Sequence, residues 1–137
     1  MTVKFEVTHD GYLIRYTIAD PLDMNELMQA YTHEQAHRDS VPHVVHSLND
    51  FSNMRRVPKN WLSARSGPGL KHPRAGEMIF VGLAPGLKIL VETIMRITRF
   101  KRVKLFDNMA DAEAYVEELL TRTRTTTPEA DTAETAK

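Results

Sequence analysis

The chain has 137 residues, of which 42% are hydrophobic and 26% charged, as in one ordinary globular domain. It contains no cysteine, which excludes disulfides and thiolate metal ligands or nucleophiles and favours a cytoplasmic location. No secretory signal and no transmembrane segment are expected, because no apolar run approaches the length of a bilayer span.

The formal net charge of zero hides a strong asymmetry. Residues 51–104 carry twelve Lys and Arg but only two acids, whereas residues 1–50 and 105–137 each carry three basic and eight acidic side chains. Such asymmetry indicates an anionic partner or self-association. The alternative is internal neutralisation by acidic helices at 22–39 and 107–118.

The first half of the chain predicts a hairpin, a helix and a strand. Apolar residues alternate with polar ones over 3–7 and again over 12–18, and Asp10-Gly11 between these runs is typical of a hairpin turn. A helix is expected over about 22–37 and a strand over about 43–49.

The second half alternates helices and strands. A helix over 59–66 should end before Gly67-Pro68-Gly69, and the apolar run 78–83 is typical of a central strand. A long helix is expected at 86–99, with an inward stripe that includes Ile97, and a short strand at 103–106.

Asn108 and Asp111 form a capping pair that begins the last helix. Residues 123–137 have no apolar periodicity and are predicted to be a disordered tail. The order β-β-α-β-α-β-α-β-α predicts one α/β domain over residues 1–122. Its core is a single-layer mixed sheet of about five strands flanked by helices.

The string His33-Glu34-Gln35-Ala36-His37 matches the HExxH pattern of zinc hydrolases, in which two histidines hold zinc and the glutamate activates water. His33 and His37 would be the metal ligands. On a helical wheel, however, both lie opposite the apolar side and would point into water. The preferred interpretation is two solvated histidines near a helix C-terminus, with no metal, no cofactor and no catalytic residue.

Other catalytic patterns are missing from the sequence, which has no nucleophile elbow, phosphate-binding loop or dinucleotide fingerprint. Asp50 and Ser52 follow a predicted strand, and an Asx-type turn explains their spacing. The chain is therefore expected not to be an enzyme.

Three stretches are similar to the SpoIIAA-like (STAS-like) group of small bacterial domains. They are the strand and following residues at 44–52, His72-Pro73-Arg74 leading into the strand at 78–83, and the closing strand and helix at 103–116. The resemblance spans about residues 3–122. It implies a mixed sheet flanked by helices and a non-enzymatic regulatory role in protein–protein interaction, as in anti-sigma-factor antagonists, or the binding of small or lipid ligands.

In the regulatory branch of that family a phosphorylated Ser or Thr begins the helix after the strand that ends near Asp50. The corresponding stretch here, 53–58, has no hydroxyl side chain. Only Ser52 lies nearby, so Ser52 is a weak candidate phosphoacceptor, and the identity of any phosphoacceptor is left open.

The predicted helix 86–99 indicates a binding surface because Ile89, and Phe100 just after it, interrupt its polar side. Together with Arg96 and Arg99, and with Arg55 and Arg56 from the preceding basic cluster, they are the candidate partner- or ligand-binding residues.

These residues favour a homodimer or a regulatory protein partner, with an anionic amphiphile or lipid as the alternative ligand. Nucleic acid is not expected, because aromatic residues are sparse among the cations. The opposing interpretation is that the chain turns at Thr98, that Phe100 is covered by a loop, and that Ile89 packs near Trp61.

Overall fold

The computed structural model describes the backbone of residues 2–136 and the side chains of residues 2–124. In this part the elements follow in the order β1 (Val3–Thr8), β2 (Leu13–Ala19), α1 (Met24–Ser40), β3 (Val45–Asn53), α2 (Pro68–Lys71), β4 (Ala75–Val81), α3 (Pro85–Thr98), β5 (Val103–Phe106) and α4 (Met109–Ala136). A 3₁₀ turn at His9–Gly11 joins the first two strands, and a 3₁₀ segment at Trp61–Ser66 precedes α2. The predicted α/β class and five-stranded mixed sheet are confirmed.

The strands are ordered β1-β2-β3-β4-β5, in the same order as in the sequence. β1 pairs antiparallel with β2, and every later pair is parallel. Right-handed crossovers that always step to the next strand place their helices on one side of the sheet. Consequently α1, α2 and α3 cover one face, which we call the cavity face, and α4 alone covers the other, which we call the α4 face.

Packing on the α4 face is close. Leu48, Ile79 and Val81 from the central strands are fully buried against Ala112 and Val116 of α4. The helix begins where it was predicted, because the backbone N–H of Asp111 donates to the Asn108 side chain at 2.8 Å. The cap and the apolar stripe together fix α4 across the strands.

His46 adds a polar tie on the α4 face. The backbone N–H of Glu77 donates to His46 Nδ1, and His46 Nε2–H donates to the Thr123 hydroxyl, both at 2.8 Å. Burial lowers the pKa of His46 to about 4, against the opposing attraction of Glu77. The ring is therefore a neutral connector of β3, β4 and α4.

Several predicted boundaries are wrong by a few residues. β3 continues to Asn53, through residues expected to be loop, and β4 starts at Ala75 and ends at Val81 instead of covering 78–83. Gly76, the second residue of β4, lies beside the His46 ring, where a Cβ would come within 2.2 Å of His46 Nδ1. A helix was not expected at Pro68-Gly69, yet α2 starts at Pro68, where proline suits the first helical turn.

The predicted disordered tail lies almost wholly outside the side chains that the structure describes. α4 is assigned as Met109–Ala136, and its side chains are described through Arg124. The expectation for residues 123–137 stays a prediction.

Candidate functional site

A cavity of about 90 Å³ lies between the cavity face of the sheet and the layer formed by α1, α3 and the 3₁₀ segment. Its walls are mostly apolar side chains, including Ile94 and the only tryptophan of the chain, Trp61. Four methionines also line it: Met24, Met54, Met78 and Met95. Methionine is flexible and polarisable, so a lining of this kind adapts to the shape of a guest.

A buried ionic network closes one wall of the cavity. Arg38 and Glu34, 1% and 2% exposed, lie one helical turn apart, and Arg38 Nε donates to Glu34 Oε2 at 2.9 Å. The Tyr16 hydroxyl donates to the other carboxylate oxygen at 2.7 Å. Burial, and then the nearby Glu34 carboxylate, raise the pKa of Tyr16, so its hydroxyl stays protonated as a donor.

The network also ties α1 to the sheet. Arg38 Nη1 donates to the backbone carbonyls of Val45 at 2.6 Å and Arg74 at 3.3 Å. On the cavity wall formed by β3, the Asn49 side-chain amide donates to the Ile79 carbonyl at 3.0 Å and to the Ser47 hydroxyl at 3.2 Å.

Among the described residues, every buried side-chain nitrogen and oxygen has a hydrogen-bond partner. The polar groups on the cavity wall are thus engaged by the protein itself. An apolar guest leaves none of them unsatisfied, so the arrangement suits a hydrocarbon group better than a polar one.

The cavity meets an open groove at Leu22, Met24 and Pro58, which line both. The groove is bounded by residues 21–25 and 56–60 and carries two exposed cations, Arg56 and Lys59. The Asp20 carboxylate fixes this loop by accepting the backbone N–H groups of Arg55 at 2.8 Å and Arg56 at 3.2 Å. Both arginine side chains remain exposed to solvent.

The basic segment is not neutralised by ion pairs. Within the described residues, the ion pairs involve Arg15, Arg38, Arg122, Arg124, His9 and His72, and none includes a Lys or Arg of 51–104. An acid of α1 nevertheless faces the segment, because the hydrogen bond from His72, and to a lesser extent the charge of Arg74, lower the pKa of Asp39. Neutralisation by neighbouring acidic helices stays a prediction.

The predicted basic residues lie at opposite ends of the parallel strands. Arg55 and Arg56 follow the carboxyl end of β3, whereas Arg99 follows α3 and precedes the amino end of β5. Arg96 belongs to the last turn of α3, so the Arg55–Arg56 pair and the Arg96–Arg99 pair are separated by most of a helix roughly 20 Å long. One continuous anion site does not include all four.

Phe100 is not part of an exposed surface, in contrast to the expectation on which its place among the binding residues depends. Arg99 adopts a left-handed conformation at the end of α3, the chain turns, and Phe100 is 7% exposed in a cluster with Ile94 and Met95. Ile89 is 65% exposed, so its alternative placement against Trp61 is also wrong.

Ile97 was expected to face inward but is 54% exposed. Leu90, two turns earlier on the margin of the same stripe, packs in a cluster with Trp61, and no comparable cover reaches Ile97. The outer side of α3 therefore presents two isoleucines.

The side chains of the HEQAH string lie on different sides of α1. His33 is exposed beside Phe5, and Glu34 is buried on another side of α1 with Arg38 and Tyr16. The expectation that His37 is solvated is wrong, because its Nε2–H donates to the Gly11 carbonyl at 2.9 Å. In the described part of the chain, no group of three or more His, Cys, Asp or Glu is placed to hold a metal ion.

Ser52 lies exposed near the carboxyl end of β3. Its backbone N–H donates to Asp50 Oδ1 at 3.0 Å, which is the predicted Asx-type turn. The hydroxyl is accessible to another protein, but its role as a phosphoacceptor stays a prediction.

The cavity residues and the Glu34–Arg38 pair were not predicted as a site. The sequence does contain a pattern that could have indicated the pair. Leu27, Glu34 and Arg38 lie on the same side of the helix, so two opposite charges at i and i+4 extend its apolar side. No sequence pattern marks the cavity, since its volume depends on how far apart the helices lie.

Comparison with known proteins gives no relative: no protein-family model, no curated protein and no solved structure matches the chain. No helix in the described residues has the length and apolarity required to cross a bilayer.

Proposed function

We propose that the protein is a non-enzymatic binding module for a small anionic amphiphile, whose hydrocarbon part enters the cavity and whose acidic group lies in the groove. The observation that carries the proposal is the cavity of about 90 Å³ with an apolar, methionine-rich lining. Its polar wall is internally satisfied, so binding is driven by burial of hydrocarbon.

Cavity size limits the hydrocarbon part. An engineered cavity of roughly 150 Å³ accepts benzene, so a smaller cavity with adaptable walls suits a short acyl chain or a small branched group. Burial of each methylene contributes about 0.8 kcal/mol, or close to fourfold in affinity. Affinity should therefore rise with chain length until the cavity is full and then level off.

The groove supplies the preference for an anion. Arg56 and Lys59 are exposed next to Leu22 and Pro58, which line both the groove and the cavity. Asp23 also lies in the groove, but its carboxylate caps α1 by accepting the backbone N–H of Asn25 at 2.9 Å. A carboxylate head group at this place gains attraction that a neutral alcohol does not.

Trp61 makes the test direct, because the only tryptophan of the chain lines the cavity. Its fluorescence should be titrated with butanoate, hexanoate, octanoate and decanoate, and with octanol as the neutral counterpart. We expect saturable changes whose affinity rises along the series and levels off once the cavity is full, and tighter binding of octanoate than of octanol.

Two variants and one control distinguish the roles of the cavity and the groove. Ala64→Leu fills space at the cavity wall and should weaken octanoate binding about tenfold or more, whereas Ala110→Leu on the exposed side of α4 should leave it unchanged. Arg56→Gln should remove most of the preference for octanoate over octanol. Absence of any saturable change with all these compounds would refute the proposal.

A second candidate is an interaction module that binds a regulatory protein or a second copy of this chain, in the cytoplasm, as the STAS-like resemblance implies. The exposure of Ile89 and Ile97 on α3 favours a contact at that face. Sedimentation velocity of the protein and of Ile89→Glu tests self-association, which requires a larger mass for the unmodified chain.

A further inference from the structure

We infer that the outer face of α3, with the loop beside its first turn, docks onto an anionic phospholipid bilayer. Its purpose rests on the proposed function, since docking would bring the cavity opening to a source of amphiphiles. The docking itself depends only on exposed residues of this surface.

Three exposed apolar side chains mark this face. Val57, Ile89 and Ile97 are 49%, 65% and 54% exposed, and they are the three most exposed large apolar side chains among the described residues. Val57 lies beside the first turn of α3. Its Cγ2 is 4.0 Å from the point where a Cβ would lie if Gly86 carried a side chain. Exposed aliphatic side chains on one helix face favour an apolar contact such as the acyl boundary of a bilayer.

Exposed cations lie around these three apolar residues. Lys88 and Arg96 are exposed on α3, Arg56 lies beside Val57, and Arg99 and Lys101 follow the helix. None of them is in an ion pair in the described part of the chain, and Glu92 is the only acid of α3. Unpaired cations around exposed aliphatic residues complement an anionic membrane surface, to which each Lys or Arg adds attraction.

The face lies close to the cavity opening. Val57 and Arg56 belong to the groove that meets the cavity, and Leu90 of α3 lines the cavity from the inner side of the same helix. A bilayer in contact with the outer side of α3 is thus next to the cavity entrance.

The test is co-sedimentation of the full chain with vesicles of phosphatidylcholine alone and of equimolar phosphatidylcholine and phosphatidylglycerol. We expect binding to the anionic vesicles and little to the neutral ones, with a strong decrease at high salt. The double variant Ile89→Glu/Ile97→Glu should reduce binding about tenfold or more. Lys88→Gln and Arg96→Gln should each reduce it about fivefold.

Matched controls exist on the opposite edge of the sheet. Val7→Glu changes an exposed valine of β1, and Lys4→Gln removes an exposed cation of the same strand. Both should leave vesicle binding unchanged. Circular dichroism of every variant should equal that of the parent, since all substituted side chains are exposed.

Docking would be overturned by no binding to anionic vesicles, or by an equal loss of vesicle binding in the β1 controls. It would also be overturned if, without vesicles, Ile89→Glu sedimented with half the mass of the parent. The last would assign the face to a second copy of the chain. Octanoate titration by Trp61 fluorescence separates this inference from the proposed function. Saturable octanoate binding without vesicle binding refutes docking only, and vesicle binding without octanoate binding refutes the ligand site only.

Discussion

The two faces of the sheet are built from the same strands but differ in how tightly their helices pack. On the α4 face, Leu48, Ile79 and Val81 are completely buried against one helix, with small Ala112 allowing close approach. On the cavity face, the layer of α1, α3 and the 3₁₀ segment leaves about 90 Å³ among methionines and an aromatic ring. A protein interior normally has few voids larger than a water molecule, so the difference supports the proposal of a ligand site on the cavity face.

Polar groups are also divided unequally. The α4 face buries His46 as a neutral connector, whereas the cavity face buries the charged pair Glu34 and Arg38. Replacement of such a pair by apolar residues is often neutral or stabilising, so its presence is not explained by stability alone. The pair keeps the end of α1 near β3 and helps to hold one wall of the cavity in place.

Arg38→Ala should have the largest effect on stability, because it leaves the Glu34 carboxylate buried without its cation and the Val45 carbonyl without its donor. We expect the free energy of unfolding to fall by about 3–5 kcal/mol. Urea denaturation measures this loss. Arg96→Ala, at an exposed position, should remain within about 0.5 kcal/mol of the parent. Similar losses for both would contradict the assigned role of the network.

His46 should make stability depend on pH. Its pKa is about 4 in the folded protein, against an ordinary value of 6.5, so the unfolded chain takes up the proton first as the pH falls. The contribution is complete above about 6.5 and is lost on acidification towards about 4, by about 3 kcal/mol in total. Urea denaturation between these pH values should show the decline, and His46→Gln should flatten it. An equal decline in the variant would assign the effect to other groups.

Removal of one methyl group from each face should give the smallest difference in stability. Ile79→Val opens space in the close packing against α4, whereas Ile94→Val enlarges a cavity that already exists. Within the usual range for this change, we expect about 1.5 kcal/mol at Ile79 and about 0.5 kcal/mol at Ile94. Chemical denaturation of both variants checks the order, and a larger loss at Ile94 would indicate that the cavity face is packed as tightly as the other.

Much of the fold could be predicted from the sequence because its signals are local. The strand Val103–Phe106 has the predicted bounds, and the cap formed by Asn108 and Asp111 is present. The start of β4 could not be predicted, because Ala75 and Gly76 are in the strand for a tertiary reason, the His46 ring packed against the glycine.

The candidate site was less predictable. Exposure of Ile89 and Ile97 depends on which segment covers α3, and burial of Phe100 depends on the turn at Arg99. Glu34 and Arg38 are neighbours on a helix, but their partners Tyr16 and Val45 come from different strands. The cavity arises from the spacing of whole elements, which no single residue pattern encodes.

The most direct measurement is an NMR titration of methyl-labelled methionines with octanoate. Met24, Met54, Met78 and Met95 line the cavity, whereas Met109 packs on the α4 face. We expect saturable shifts of the four cavity methyl signals, while the Met109 signal stays in place. Unchanged cavity methyl signals, or shifts of Met109 equal to theirs, would contradict a ligand site on one face of the sheet.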